Sequence, residues 1–237
     1  LKNGASIGGV RNNGAGAVEY RTSAVDFAEY FPSNYEFKPG ELVGIDNGKI
    51  VPALGNNLFG VISTAPGFTG GKEEDGSVLV AIAGQVPVIV DNSQGNIEAN
   101  HPITLSKINQ KTGSKQNSFG NIVGIALQPF EPEGQQCTAV DSLDSINWPA
   151  EDPYNQQKTC FKLPNGTYVG KIMLFVNLSI YDPDAFLTNT GEIVINDADG
   201  NPKNLLADET RETQIANLKS QNYNLKLKTG ETVERIA

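Results

Sequence analysis

Two apolar segments set the fold class of this 237-residue chain: Val78-Leu79-Val80-Ala81-Ile82-Ala83-Gly84 and, one residue later, Val86-Pro87-Val88-Ile89-Val90. We interpret them as two consecutive strands with a break at Gly84. Pro87 has no amide hydrogen to donate to a neighbouring strand, so we expect the second strand to lie at an edge or to begin at a bulge.

Further short segments extend this β pattern along the chain. Glu41-Leu42-Val43-Gly44-Ile45 is followed by Asp46-Asn47-Gly48, a strong hairpin signal, and then by Lys49-Ile50-Val51. The longest apolar run, from Tyr168 to Leu178, is expected to form the central strand. Many short strands separated by turns predict an all-β, multi-stranded domain built as a sandwich or a barrel.

A weak internal echo accompanies these strands. Pro39-Gly40-Glu41-Leu42-Val43 is followed about twenty residues later by Phe59-Gly60-Val61-Ile62, and His101-Pro102-Ile103-Thr104-Leu105 by Val123-Gly124-Ile125-Ala126. Each half sets a proline-containing turn before one strand and a glycine inside the next. A duplicated β unit would explain the echo, and coincidence is the alternative.

Composition and charge exclude several partners and sites. The net charge is −9 and no Lys/Arg cluster occurs, whereas nucleic acids and anionic membranes require concentrated positive charge. No stretch approaches the roughly 18 apolar residues of a membrane span. The lone His101 precedes a proline in a turn, and the acidic spacing at Asp197 to Asn201 reads as a plain Asp-Gly turn. We therefore expect no cofactor and no metal.

The chain has two cysteines, Cys137 and Cys160, separated by a polar, loop-like segment. Two unrelated buried thiols are one interpretation. We favour a disulfide that closes the 137–160 insertion, which would stabilise the fold by roughly 3 kcal/mol, mostly through the unfolded state. A disulfide indicates an oxidising, extracellular setting.

The character of the sequence changes near its C-terminal end. Glu192-Ile193-Val194-Ile195 and the turn Asp199-Gly200-Asn201-Pro202 predict a small strand-turn element. The segment from Asp208 to Leu227 then predicts a short helix. Its candidate coiled-coil seam has a polar residue at one core position and consists of Ile215, Leu218, Asn222 and Leu225. A single amphipathic helix is the alternative.

A pair of carboxylates stands at the start of the β pattern, in Asp26-Phe27-Ala28-Glu29-Tyr30-Phe31-Pro32. If the segment forms a helical turn, Asp26 and Glu29 share a face. Two carboxylates held together beside apolar rings divide into a base and an acid. The alternative is structural, with Asp26 as the N-cap of the turn and Glu29 at its third position.

Around these residues the sequence resembles a known family. Ser23 to Phe31 is similar to the signature of the peptidase G2 type, the self-cleaving intramolecular chaperone domains at the ends of phage neck appendages and tail spikes, which also occur in related bacterial surface fibres. The similarity extends through four further segments and covers roughly residues 17 to 183; the segments are 59–67, 81–88, 123–127 and 175–181.

The resemblance implies a domain organisation and an activity. The β-rich chaperone-like domain would comprise 23–183; from their Gly- and Asn-rich composition we expect residues 1–22 to end an upstream fibrous region, and we expect the strand-turn element and helix of 184–237, outside the resemblance, to serve oligomerisation. The domain would assemble as a homo-oligomer, a trimer, and drive the folding of the fibre upstream in the same chain. It would then cut the Val25–Asp26 bond, with Asp26 and Glu29 as the catalytic pair and no external substrate.

The first hypothesis is therefore a self-cleaving assembly domain of an extracellular, cell-surface or virion fibre. The second is a non-cleaving trimeric adhesin tip or cap, with a surface for a glycan or a cell-surface receptor on the 137–160 insertion. The two differ in whether the longer protein yields a fragment that starts at Asp26.

Overall fold

The computed structural model describes residues 8–12, 18–22, 26–148, 159–196 and 199–204. The chain divides into two compact units, Leu1–Tyr181 and Asp182–Ala237. Apart from a 3-10 turn at Gly55–Asn57, the regular elements of the described residues are strands. In chain order they are β1 (Gly8–Asn12), β2 (Val18–Thr22), β3 (Asp26–Pro32), β4 (Leu42–Asp46), β5 (Lys49–Pro52), β6 (Leu58–Ile62), β7 (Phe68–Gly70), β8 (Ser77–Asp91), β9 (Pro102–Leu105), β10 (Gly113–Lys115), β11 (Gly120–Ala126), β12 (Thr138–Ala139), β13 (Cys160–Lys162), β14 (Tyr168–Tyr181), β15 (Ala185–Leu187), β16 (Ile193–Asn196) and β17 (Pro202–Asn204).

The predicted β class is confirmed. Twelve of these strands form one large sheet within the described residues, and β1 and β2 form a separate antiparallel pair. The large sheet is mixed, because β3 pairs with β7, β8 with β10, and β12 with β13 in parallel, while its other pairings are antiparallel. The hairpin predicted at Asp46-Asn47-Gly48 is also present, with Asn47 and Gly48 both at positive φ.

The predicted break at Gly84 is wrong, because β8 runs unbroken through it from Ser77 to Asp91. Gly84 has a φ of +97°, a value that only glycine adopts easily. The glycine therefore permits an irregular backbone conformation at this point while the strand continues. Gly84 pairs with Asp26 of β3 on one edge and with Val176 of β14 on the other. One strand therefore serves two different sets of neighbours before and after this residue.

Those neighbours close into two rings of strands. The first ring runs β3–β8–β6–β4–β5 and is closed by a bridge between Ser33 and Ile50. The second ring runs β8–β14–β11–β9–β10 and is closed by the pair Gly113 and Val90. The closing contact is parallel in both rings. The strand order is the same in both, with β3 corresponding to β8, β8 to β14, β6 to β11, β4 to β9 and β5 to β10.

Backbone hydrogen bonds repeat at corresponding places in the two rings, with N to O distances of 2.7 to 3.0 Å. The bond from Gly40 N to Ile62 O corresponds to that from Asn100 N to Ala126 O. The bond from Ile62 N to Glu41 O corresponds to that from Ala126 N to His101 O, and the bond from Ser63 N to Leu79 O to that from Leu127 N to Met173 O. Gly40 and Asn100 both have positive φ. The internal echo in the sequence thus marks a duplicated β unit.

The glycines of the echo have the same packing role. Gly60 lies opposite Val43, and Gly124 lies opposite Ile103. A Cβ on Gly60 would stand 2.6 Å from the carbonyl oxygen of Ala81, and a Cβ on Gly124 would overlap that of Phe175. Each ring therefore needs a residue without a side chain where its second strand crosses the third.

Apolar side chains fill the rings. The largest buried cluster includes Val88 and Val90 of β8 together with Ile172, Leu174 and Val176 of β14. This packing makes β14 a buried, central strand, as expected. A smaller cluster holds the first ring and contains Val43, Ile50, Ile62 and Val80, with the rings of Phe31 and Phe59 packed edge to face at 5.2 Å between centroids.

In the second unit, β15, β16 and β17 form a three-stranded antiparallel sheet. This arrangement includes the predicted strand-turn element, with Gly200 at a φ of +81° beside β17. The predicted short C-terminal helix and its seam, Ile215, Leu218, Asn222 and Leu225, lie outside the described residues. So does Asp197 of the acidic turn.

Candidate functional site

The segment that carries the two candidate carboxylates is strand β3, so the condition for Asp26 and Glu29 to share a face, a helical turn, is not met. Successive side chains of a strand point to opposite faces, which puts residues three apart on different sides. Asp26 and Ala28 are buried on one face of β3, whereas Phe27 and Glu29 are half-buried on the other. The register shift between β3 and β8 does not alter this alternation, because the extra residue, Ile82, belongs to β8.

Asp26 occupies a closed environment at the first position of the strand. Its side chain is buried, with 7% exposed, and its Oδ2 accepts a hydrogen bond of 2.7 Å from Ser63 Oγ, itself 8% exposed. The backbone oxygen of Asp26 accepts a hydrogen bond of 2.9 Å from Gly67 N. The carboxyl and the carbonyl of this one residue are thus held by the same short loop, which follows β6.

The loop continues into β7 and supports the next residue as well. Phe27 lies beside Phe68 in the parallel pair of β3 and β7, and their rings stack with centroids 4.9 Å apart. We call residues 63–68 the clamp loop, because its contacts fix both the side chain and the main chain of Asp26 and the ring that follows. Val25, the other half of the candidate bond, lies outside the described residues.

Glu29 contributes to a different place. It pairs with Gly70 of β7, where a Cβ on the glycine would come within 2.7 Å of Glu29 Cγ. Its carboxyl stands on the face of β3 that carries the Phe27 and Phe68 stack. The structure therefore does not bring the carboxylates of Asp26 and Glu29 together within one chain.

Ser63 and Gly67 are residues that the sequence did not mark as parts of the site. Both lie in the segment 59–67 that carries part of the family resemblance, but that segment gave neither of them a role, and Ser63 is distant from Asp26 along the chain. A signal does exist in the internal echo. Ser63 corresponds to Leu127 in the second ring, so a polar residue replaces an apolar one at an equivalent position after the strand.

The second predicted site is the cysteine-bounded insertion. Cys137 and Cys160 form the predicted disulfide. Leu143 and Ile146 of the insertion are buried against Ile89 and Val169 of the large sheet. Residues 149–158 lie outside the described part, but the preceding portion is a packed element held to the sheet by its own apolar cluster.

An ionic network fixes the same insertion at another point. Lys111 Nζ donates a hydrogen bond of 2.7 Å to Asp144 Oδ1 and stands 3.7 Å from Glu41 Oε1. Glu41 is 1% exposed and its Oε2 also accepts a hydrogen bond from the backbone N of Lys38. The hydrogen bond between Lys111 and Asp144 raises the pKa of the amine and lowers that of the carboxyl.

The described residues contain no group of three or more His, Cys, Asp or Glu side chains that could hold a metal ion. His101 Nδ1 accepts a hydrogen bond of 2.9 Å from the backbone N of Glu98, which occupies that nitrogen in the turn before β9. The part of the chain that the structure describes contains no helix long and apolar enough to cross a membrane.

Comparisons with known proteins add no assignment. No protein-family model matches the sequence, and no curated protein matches it either.

Proposed function

We propose that this chain is the assembly domain of an extracellular or virion fibre, and that it releases itself by cutting its own Val25–Asp26 bond. The observation that carries the proposal is the environment of Asp26. Asp26, the residue on the C-terminal side of the candidate bond, is 7% exposed, and its carboxyl group accepts a hydrogen bond from the Ser63 hydroxyl. Burial of a carboxyl group is unfavourable, so its presence at this entrance to the sheet points to a use other than stability.

The proposed reaction needs no cofactor. Asp26 Oδ1 attacks the carbonyl carbon of Val25 through a six-membered ring and forms an anhydride. The bond between that carbon and Asp26 N breaks, and its electron pair stays on the nitrogen, which takes a proton from water. A second water molecule hydrolyses the anhydride, which restores the Asp26 carboxyl and leaves a carboxyl on Val25. Nucleophile and target belong to one residue pair, so proximity supplies most of the acceleration.

Glu29 enters this scheme differently from the prediction made on the sequence. It lies on the opposite face of β3, so the proposal assigns the proton of the leaving amine to water within one chain. Its role as the acid of a catalytic pair remains a prediction that requires contact with another copy of the chain.

The test uses the 237-residue chain, which contains residues on both sides of the candidate bond, made in a cell-free translation mixture and sampled over time. Intact mass and N-terminal sequencing are expected to show a fragment that begins at Asp26. Asp26→Asn should stay whole, whereas Glu29→Gln and the exposed control Glu36→Gln should be cut at the wild-type rate. A wild-type protein that stays intact on long incubation contradicts the cleavage, and a Glu29→Gln protein that stays whole assigns the acid to a neighbouring subunit.

The proposed role in assembly is tested separately, by the oligomeric state of the chain. Strand pairing between distant segments is slow, so a fibre gains from a nucleus that sets the register of its chains. We expect native mass spectrometry of the 237-residue chain to give a homo-oligomer, a trimer, at micromolar concentration. A monomer at that concentration would remove assembly from the proposal and leave cleavage to be judged by the fragment alone.

The packed insertion favours a second candidate function, a non-cleaving adhesin tip. The disulfide, the apolar cluster around Leu143 and the Lys111–Asp144 hydrogen bond hold a loop with exposed residues in a fixed shape. Such a preformed surface suits recognition of a glycan or a cell-surface receptor. Binding on a glycan array that is lost in the exposed variants Asp141→Ala and Asn147→Ala would support this function, and an array without binding would oppose it.

A further inference from the structure

The duplicated unit allows the same sheet face to be compared in the two rings. Residues that lie directly opposite one another in neighbouring antiparallel strands share a face of the sheet. In the first ring one such row crosses four strands and consists of Leu42, Val61, Ala81 and Ala28. The equivalent row of the second ring consists of Pro102, Ile125, Phe175 and Gln85.

The two rows differ in burial. The four residues of the first row are at most 1% exposed, and they belong to the largest buried cluster together with Val123 and Val176 of the second ring. The second ring therefore covers this face of the first. In the second row Pro102 is buried and Ile125 is half-buried, whereas Gln85 is exposed and Phe175 is 44% exposed.

The cysteine-bounded insertion covers the other end of the same face of the second ring. Alternate residues of β14 share this face, namely Val169, Lys171, Met173 and Phe175. Leu143 and Ile146 of the insertion pack against the buried Val169, and Lys171 Nζ lies 5.2 Å from the centre of the Trp148 ring. Further along the strand Met173 is half-buried and Phe175 is exposed, so the cover by the insertion ends between Lys171 and Phe175.

We call the exposed part of this surface the Phe175 face; it consists of Gln85, Pro87, Ile125, Leu127, Met173 and Phe175. Leu127 follows β11, is 39% exposed, and donates its backbone N–H to Met173 O. None of the six residues is charged, although the chain has a net charge of −9. Two copies of an acidic chain repel one another, so their contact is least opposed at a face without carboxylates. An exposed apolar patch of this kind marks a binding surface.

The surface of the second ring that covers the first is itself repeated in the chain. It includes Val123, which precedes Gly124, and Val176, which follows Phe175. Their equivalents in the first ring are Phe59, which precedes Gly60, and Ile82, which follows Ala81. Both of these side chains are half-buried. One copy of the chain thus carries an exposed Phe175 face and, on its first ring, the counterpart of the surface that covers such a face.

We propose that the Phe175 face binds a second copy of this chain, against the surface around Phe59 and Ile82 of its first ring. The contact repeats between two copies the packing that joins the two rings within one copy. It is a head-to-tail contact between unlike surfaces, which closes into a ring of copies such as a trimer when the rotation allows it. This inference rests on the assembly part of the proposed function and identifies the surface that assembly uses.

The first test measures the oligomeric state of the 237-residue chain by native mass spectrometry at micromolar concentration. Phe175→Glu places a charge at the centre of the face and should raise the dissociation constant by about 30-fold or more, the effect of losing a central aromatic contact. The exposed control Leu54→Glu should assemble like wild type. Circular dichroism of both variants shows whether the sheet is retained.

A mixing experiment tests the head-to-tail geometry. Ile82→Glu alters the opposite side of the contact, so it should also stay monomeric. Each variant keeps the surface that the other has lost, and an equimolar mixture of Phe175→Glu and Ile82→Glu should therefore form a dimer with one intact contact. A mixture that stays monomeric overturns the head-to-tail contact.

Met173 provides a measurement on the unmodified chain, which decides the matter if a variant does not fold. It is the only methionine of the sequence and lies on the Phe175 face, so its oxidation by hydrogen peroxide is followed by intact mass. Oxidation should slow as the protein concentration rises and copies associate. A wild-type oligomer whose Met173 is oxidised at the same rate at all concentrations overturns this face and leaves assembly standing. A wild-type monomer overturns the face and the proposed assembly together.

Discussion

Gly124 lies directly against the carbonyl oxygen of Phe175, in a space that no side chain can enter. The contact brings β11 and β14 together at the crossing of the second ring, and Gly60 makes the equivalent approach to Ala81 in the first. The sequence retains a glycine at both places although glycine weakens a strand by itself.

The first prediction concerns this crossing. Gly124→Ala should lower the free energy of unfolding by about 2 to 3 kcal/mol, because the added methyl group forces two backbones apart. Urea unfolding followed by circular dichroism measures the change, with the exposed Ser118→Ala expected to stay within about 0.5 kcal/mol of wild type. An unchanged midpoint in Gly124→Ala would mean that the two strands separate freely at this point.

The second prediction compares the contributions to stability of the two carboxylates that contact Lys111, those of Glu41 and Asp144. Lys111→Met removes the ammonium 3.7 Å from the buried carboxylate of Glu41, which keeps the hydrogen bond from the backbone N of Lys38, and removing one partner of a buried ion pair costs about 3 kcal/mol. Asp144→Asn removes only the exposed partner and should cost less than about 1 kcal/mol. Thermal unfolding of both variants at neutral pH decides the matter, and equal losses would contradict the assignment of the larger effect to Glu41.

The same network predicts a pH dependence. Since the Lys111 ammonium lowers the pKa of Asp144 in the folded chain, the stabilisation is fully present above the ordinary carboxyl value of 3.8 and is lost as pH falls through the lower, folded value. The difference in stability between wild type and Asp144→Asn should therefore be larger at pH 7 than at pH 2.5. A difference that grows on acidification would reverse the sign and refute the prediction.

The disulfide gives a fourth prediction. Replacing Cys137 and Cys160 together by alanine should destabilise the chain by about 3 kcal/mol, because a loop with a sequence separation of 23 is released in the unfolded state. Leu143 and Ile146 remain able to pack on the sheet, so we expect the variant to fold. Calorimetry of the double variant against reduced wild type provides the check, and the two midpoints should agree.

The parts of the fold that could be predicted from the sequence are those specified by neighbouring residues. The Asn47-Gly48 hairpin and the duplicated unit were predictable, because turn chemistry and the spacing of glycines inside strands are written in adjacent residues. The continuity of β8 was not predictable, because a glycine inside an apolar run often marks the end of a strand. Only the pairing of the residues on both sides of Gly84 with neighbouring strands reveals one long strand.

The arrangement of the candidate site was harder to predict for the same reason. A spacing of three between Asp26 and Glu29 suits one face of a helix and opposite faces of a strand, so the choice depended on pairing with β8. Ser63 is brought to Asp26 by the path of the loop after β6, which no local sequence pattern predicts.

The last prediction concerns the buried hydrogen bond between Ser63 and Asp26 and measures the coupling of the two side chains in a double-mutant cycle. Asp26→Ala alone strands a buried hydroxyl and Ser63→Ala alone strands a buried carboxyl, so each single variant should lose about 1 to 3 kcal/mol. The double variant leaves neither partner of this hydrogen bond unpaired in the buried space between β3 and the clamp loop. It should therefore be more stable than the sum of the single losses implies, by about 1.5 kcal/mol or more. Urea unfolding of the four proteins gives the coupling directly, and simple additivity would mean that the two side chains do not interact in solution.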